Sequence, residues 1–375
     1  AELAGAGWRA DTGDRALLHF GAVDHDATVW FNGQRVAVHS GGQTPFTADV
    51  TALLQTGENT VVVRAVDHPE DVSILRGKQD WKEDPHTIWY HRSTGIWQPV
   101  WLEVVPATAI AAVAWRCDVP SATVDVQVDI AGPVSRGEVI TVALHHGGEL
   151  LAETTVSTLG ERHVSARVVI PRQLNGQGYE ELLWSPDRPT LIDTQVSLWS
   201  GDAVSGYVGL RSVAVDRDVF LLNDRPHRIR AVLAQNYWPE TLNAATPAAL
   251  KREVELVLAL GFDTARVHQK AEDPRFLFWA DRLGLMIWGE TAAAYAFDPR
   301  AMTALVSEWT AIVRRDASHP CIVTWVPLNE SWGVQHVSHD PRQRAFSQSV
   351  ADLTRALDGT RPVISNDGWE HTSSD

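Results

Sequence analysis

The stretch Val323 to Gln335, VTWVPLNESWGVQ, sets a carboxylate, Glu330, at the end of the β-branched and aromatic run Ile322 to Val326, with an indole two residues on at Trp332. A carboxylic acid between Trp325 and Trp332 is expected to be partly desolvated. Desolvation disfavours the charged form and raises the pKa, the condition for donating a proton near neutral pH. Asn329, immediately before it, can hydrogen-bond a substrate hydroxyl beside the reacting centre. The competing reading is structural, a carboxylate paired with an arginine such as Arg266. A catalytic Glu330 also raises the question of its partner.

The elements that must position these residues follow from the pattern after residue 216. Strand-like runs at 229–234, 262–268, 285–290, 321–330 and 362–367 alternate with helix-like runs at 246–261, 273–284, 301–318 and 341–359. Thr246 as N-cap, Pro247 in first position and Gly261 at the end are helix start and stop signals. Strict β and α alternation with apolar strands predicts a parallel sheet with crossover helices. Polar residues fall at each strand's C-terminal tip: Gln235 and Asn236, Arg266 and His268, Glu290, Asn329 and Glu330, Asn366 and Asp367. In a (β/α)8 TIM barrel that face carries the active site. A doubly wound open sheet is the weaker alternative, because no Gly-rich phosphate loop follows the first strand.

Upstream the texture is all β. Residues 1–105 read as a jelly-roll β-sandwich whose first strand is missing, with Asn32-Gly33 as a hairpin signal. Residues 106–215 alternate at period two, as in an immunoglobulin-like β-sandwich. Residues 216–375 are then the N-terminal part of the barrel, a partial TIM barrel of five strands.

Composition narrows the partners. The 375 residues carry a net charge of −15 without a Lys/Arg cluster, so nucleic acid and anionic membranes are poor candidates. Sixteen Trp suit a protein that stacks rings, although core packing accounts for most of them. Cys117 and Cys321 make neither a disulfide framework nor a zinc site. No apolar run of 18 residues is present, and no signal region is visible, which leans towards a soluble, cytoplasmic protein.

At this point the residues resemble a family. CIVTWVPLNESWG is similar to the acid/base signature of glycoside hydrolase family 2, the β-galactosidases, β-glucuronidases and β-mannosidases. STGIWQPVWLE resembles the end of that family's sugar-binding jelly roll, LWSPDRPTL and VGLRSVAV its immunoglobulin-like domain, and FLLNDRP its barrel entry. FDTARVHQ and DPRFLFWADRLGLMIWGE resemble its second and third barrel units. The resemblance implies a retaining exo-β-glycosidase working by double displacement, with Glu330 as general acid/base. It places the nucleophilic glutamate at the end of a seventh strand, roughly 5 to 5.5 Å from the acid/base in such enzymes. The sequence ends at GWEHTSSD, just past the fifth strand, so this chain is expected to be inactive alone. Glu290 falls where the resemblance assigns support of the site or substrate contact.

Other assignments rest on the same resemblance. The first strand lacks the family's usual histidine and has Asn236, Tyr237 and Trp238 there; Trp238 is a stacking platform or a core residue. Arg266 orients the nucleophile or braces Glu330, and His268 lines the site or is structural. Trp369 and His371 are candidates to line the sugar pocket. In the loop RGKQDWKED, Lys78, Gln79, Asp80 and Trp81 are candidates to reach the barrel mouth. The spacing that supplies magnesium in some members is absent after Glu290, so no metal and no cofactor are expected. The expected partner is a neutral or mildly acidic β-glycoside, with no nucleic acid and no membrane, and a homo-oligomer is left open. The alternatives are a non-catalytic carbohydrate-binding protein or one chain of a split glycosidase.

Overall fold

The computed structural model describes residues 13–176 and 178–375. The opening stretch of the jelly roll, whose first strand is read above as missing, lies outside the described residues up to position 12.

The first β-sandwich packs the sheet formed by Phe46–Asp49, Arg15–Phe20 and Val100–Val105 against one formed by Gln34–Ser40, Asp26–Phe31 and Val61–Val66. Asn32 and Gly33 join two of these strands as a two-residue turn with φ of 48° and 81°. Both residue types tolerate that left-handed backbone, which matches the twist of the flanking strands. Inward-facing Ala16, Leu18, Phe20, Ala27, Val29 and Phe31 fill the core at the period of two that a half-buried strand dictates.

The second sandwich has three strands on one side, His163–Val169, Thr123–Ala131 and Ala109–Asp118. Four lie on the other: Glu149–Ser157, Val139–His146, Ile192–Leu198 and Ala203–Val208. A small antiparallel meander, Val213–Asp216, Val219–Leu222 and Arg225–Pro226, follows it.

Four parallel strands then run side by side: Ala231–Ala234, Thr264–Val267, Met286–Glu290 and Ile322–Val326. Between them lie helices α1 (Pro247–Ala259), α2 (Pro274–Leu283) and α3 (Pro299–Asp316), and α4 (Pro341–Leu357) follows the fourth strand. All four helices begin alike. An acceptor side chain (Thr246, Asp273, Asp298 or Asp340) bonds a first-turn N–H, and a proline without an N–H occupies the next position. The third helix therefore starts at Pro299, two residues before the expected Ala301.

The expected fifth strand is a partial one. Residues 362–367 run parallel to the fourth strand but pair with it only at Trp325–Val363 and Asn329–Asp367. The backbone bonds are real at both ends: Ile364 N–H to the Trp325 carbonyl at 2.9 Å, and Asp367 N–H to the Leu328 carbonyl at 2.9 Å. Pro327 sits between, so the fourth strand has no donor there and the ladder opens.

Both sandwiches are keyed into the barrel. Trp184 is fully buried and donates its Nε1–H to the Asp281 carbonyl at 2.7 Å, while Arg211 donates to the carbonyls of Pro320 and Ile322 at 2.8 and 2.7 Å. From the jelly roll, the Gln43 N–H donates to Glu308 of α3 at 2.9 Å, and its side chain accepts from the Ala271 N–H at 3.0 Å.

Candidate active site

The chain turns sharply at the tip of the fourth strand. Glu330 and Ser331 both take left-handed backbone, with φ of 48° and 59°. Such positions cost energy for non-glycine residues and persist where the surroundings fix them. Here the Glu330 N–H donates to the Asp367 carbonyl at 2.8 Å, and the Ser331 N–H donates to Asn366 Oδ1 at 2.9 Å. Asn366 is itself held by donating to the Glu370 carbonyl at 2.6 Å. The result presents the Glu330 side chain to solvent, with no ion pair or hydrogen bond to any described residue.

Trp325 does not wall this carboxylate. It is fully buried on the other side of the strand, edge-on to Trp309 of α3 at 5.5 Å, with its Nε1–H on Asp358 at 2.8 Å. A strand buried on both faces sends alternate side chains to the barrel interior and to the helices, and Trp325 belongs to the helix layer. Trp332 stays near the tip, half-buried and packed on Tyr295 at 4.7 Å.

Asn329 is buried and its Oδ1 accepts from Arg266 Nη2 at 2.5 Å. The same guanidinium touches Glu290 Oε2 at 2.7 Å and Asp367 Oδ2 at 2.8 Å, so Arg266 ties the second, third, fourth and fifth strand tips together. Glu290 is fully enclosed, and burial pushes its carboxyl up to about 7 against the lowering influence of Arg266 and the Gln269 N–H. His268, 3.7 Å from Glu290, is pushed down to about 3 by burial, with Arg266 and Lys78 adding to the effect, so its imidazole is neutral. The structure thus places Arg266, Glu290, His268 and Asn329 in one cluster beside Glu330.

The first strand tip is occupied differently. Asn236 donates to Glu272 at 2.5 Å, and its carbonyl accepts from Lys270 at 2.8 Å. The buried Lys270 ammonium lies over the rings of Trp97, Tyr237 and Trp238 at 5.1, 5.5 and 5.3 Å. Trp238 is therefore engaged with Lys270 and the barrel core, and Asn236 with a buried ion pair.

The jelly-roll loop does reach the barrel mouth, but its polar residues face inwards. Asp80 accepts from the Lys82 N–H at 2.9 Å, the His86 N–H at 2.7 Å and the His86 ring at 2.6 Å, which folds the loop on itself. Gln79 bridges Asp24 and Ser93. Trp81 packs edge-on against His86 and Trp89 and under the Arg76 guanidinium. Lys78 is different. Its ammonium has no carboxylate within ion-pair distance among the described residues, and Glu330 is the charge that opposes its desolvation. Trp369, beyond the fifth strand, is 75% exposed and His371 is exposed too, so neither is held in a pocket.

Elsewhere, Asp281, His319 and Cys321 are the described residues whose ligand atoms come close enough to share a cation. The Asp281 oxygens are already taken by the Tyr207 hydroxyl at 2.8 Å, the His319 ring at 2.5 Å and the Cys321 N–H at 2.9 Å. That arrangement is a junction between the second sandwich and the barrel.

Asp367 was named from the sequence only as a strand-tip residue, and Tyr295 and Trp89 were not singled out at all. Asp367 completes the Arg266 cluster, and Tyr295 and Trp89 stand with Trp332. A carboxylate at a predicted strand tip was a usable signal for Asp367. Tyr295 and Trp89 come from loops of different domains, and no local pattern links them.

Two family models match this chain: the glycosyl hydrolases family 2 sugar binding domain over residues 7–106, and the TIM barrel domain of the same family over residues 213–374. A β-galactosidase of Thermoanaerobacter pseudethanolicus is 26% identical over 94% of the chain, and one of Vibrio cholerae is 24% identical over 95%. The aligned part is 46% and 35% of those relatives, so the chain spans less than half the length of either. Among solved structures, a β-glucuronidase of Faecalibacterium prausnitzii matches 94% of this chain and 62% of its own at 25% identity and a TM-score of 0.79. A β-D-glucuronidase of Dictyoglomus thermophilum matches 96% and 64% at 19% identity and 0.78.

Proposed function

This chain belongs to glycoside hydrolase family 2, and on that premise we propose that its barrel face serves hydrolysis of terminal sugars from β-glycosides with retention of anomeric configuration. Glu330 is the general acid/base. The observation that carries this reading is the contrast among the strand-tip carboxylates. Glu290 and Asp367 are held by Arg266, whereas Glu330 is exposed and unpaired at a backbone turn fixed by Asn366 and Asp367.

In the first step the Glu330 carboxylic acid protonates the glycosidic oxygen as a second carboxylate attacks the anomeric carbon; the C–O bond breaks and the aglycone leaves as its alcohol. In the second step the Glu330 carboxylate takes a proton from water, the water oxygen attacks the same carbon, and the glycosyl ester is cleaved. Asn329, fixed by Arg266, offers its amide to a hydroxyl of the bound sugar. In this reading, as the family resemblance implies, the nucleophile stands on a later barrel strand; Arg266 already occupies Glu290 and Asp367.

That occupancy also favours a second reading, in which these three domains bind a glycan without cleaving it. A panel of 4-nitrophenyl β-glycosides separates the two when given to a protein that includes the strand bearing the second carboxylate. Under the first reading one of them releases nitrophenol, the first sugar product keeps the β configuration, and Glu330→Gln lowers the rate at least a hundredfold on substrates with poor leaving groups. Saturable binding without nitrophenol release supports the second.

A further inference from the structure

Beside Glu330 the jelly-roll loop and the barrel build one wall of rings. Trp332 packs on Tyr295 at 4.7 Å and lies edge-on to Trp89 at 6.3 Å. Trp89 donates its Nε1–H to the Tyr295 hydroxyl at 3.0 Å, which in turn donates to the Gly77 carbonyl at 2.7 Å. Arg76 backs the wall, with its guanidinium over Tyr295 at 4.5 Å. All three rings are only half-buried, and two of them are fixed by hydrogen bonds in addition to packing. Lys78 stands at the edge, its ammonium 5.8 Å from the Trp89 ring centre. Trp332 follows Glu330 by two residues in the turn that Asn366 and Asp367 hold, which puts the wall beside that carboxylate.

Rigid, partly exposed rings offer flat area at little entropic cost, and the Lys78 ammonium at their edge, with no carboxylate within ion-pair distance among the described residues, can pair with an anion. We propose that Trp89, Tyr295 and Trp332, with Lys78 at their edge, form the aglycone subsite and take a flat aromatic group bearing a negative charge. This rests on Glu330 as the general acid, since a group that protonates the glycosidic oxygen has the aglycone beside it. The aromatic faces stack on the leaving group, and Lys78 pairs with its anionic substituent.

The test uses non-hydrolysable β-thioglycosides of one sugar, with methyl, phenyl or 4-carboxyphenyl as aglycone, titrated calorimetrically into the wild-type protein, Trp89→Phe, Trp89→Ala and Lys78→Gln. The phenyl compound is expected to bind roughly tenfold tighter than the methyl compound, and the 4-carboxyphenyl compound roughly threefold tighter again. Trp89→Ala removes most of the phenyl advantage and Trp89→Phe keeps it, which separates stacking from damage to the loop. Lys78→Gln removes only the carboxylate advantage. Equal affinity for methyl and phenyl, or advantages untouched by these substitutions, overturns the subsite while leaving the sugar-binding reading in place. No binding of any of the three overturns both.

Discussion

Gly368 lies so close to Glu330 that a Cβ on it would stand 3.2 Å from the Glu330 Cα and 3.5 Å from its nitrogen. The glycine is needed here for space, since its φ lies outside the left-handed range. It lets the segment after the fifth strand press the strained turn into place from one side, while Asn366 and Asp367 hold it by hydrogen bonds.

Gly368→Ala is therefore expected to shift the Glu330 backbone by a few tenths of an ångström without unfolding the protein. Hydrolysis should fall by about tenfold to a hundredfold, since small displacements of a catalytic group are costly. The melting temperature should move by only a few degrees. A rate within twofold of wild type would mean that the turn is not pinned from this side.

Arg266→Met removes one cation from three acceptors at once. Glu290 would be left buried without its counter-charge, a change that costs about 3–5 kcal/mol when one partner of a buried pair is lost. Neutralising the abandoned group should recover part of this, so Arg266→Met with Glu290→Gln is expected to be more stable than Arg266→Met alone. Urea unfolding of the two single variants and the double variant gives the coupling directly. Activity should not recover in the double variant, because Asn329 and Asp367 remain unheld. Strict additivity of the two substitutions would sink the brace.

How much of this was legible beforehand varied with the kind of interaction. The first helix was readable from Thr246 and Pro247, a local signal whose mechanism lies within four residues, whereas the same signal at Asp298 and Pro299 was passed over and the third helix was placed two residues late. The fifth strand was overread: its apolar residues are strand-like, but Pro327 on the neighbouring strand interrupts the pairing, and that lies outside the segment itself. Trp325 was misplaced for a different reason. A strand buried on both faces has no polar side, so its pattern does not say which face looks into the barrel. Arg266 stood out as a charge in an apolar strand, and Glu330 as a carboxylate at a strand tip. Asp80 looked available, yet the residue that occupies it, His86, sits six positions on in the same loop. Such pairings come from loop conformation, which residue spacing does not encode.

The seam between jelly roll and barrel is expected to respond to pH. Glu308 of α3 is buried against the Gly41 to Gln43 segment, and Asp24 lies on the other side of Gly42; burial pushes each carboxyl up to about 7, and Asp24 raises Glu308 further. A carboxyl raised in the folded state contributes stability that is full below its unfolded value near 4.5 and is lost as pH rises through about 7. The lowered His268 acts in the opposite sense over part of that window, so the total is a poor readout. The difference between Glu308→Gln and wild type isolates the one group. The variant should gain stability relative to wild type between pH 5 and pH 8, by an amount on the order of 1–3 kcal/mol. A pH-independent difference in melting temperature would contradict this.

The jelly-roll loop reaches Glu330 only if its base stays docked, and Gly77 decides that. Its φ is +57°, and a Cβ there would stand 2.3 Å from the Gln269 carbonyl oxygen, beyond any side-chain adjustment. The glycine N–H donates to the Ala293 carbonyl at 3.2 Å, and its carbonyl accepts from Tyr295, so this residue ties the loop to the segment after the third strand, alongside the Trp89–Tyr295 bond and the Tyr295 and Ala296 N–H groups on the Val72 carbonyl. Gly77→Ala should release residues 76–90 from the mouth while both sandwiches stay folded, because the jelly-roll core around Phe20 and Val29 lies elsewhere. Limited proteolysis is expected to cut that loop at least tenfold faster than in wild type, and global melting should change little. The same variant should lose the preference for aryl over methyl aglycones, since Trp89 and Lys78 travel with the loop. Unchanged cleavage with an unchanged aryl preference would show that the loop holds its place without Gly77, through Leu75 and the Tyr90–Tyr237 stack instead.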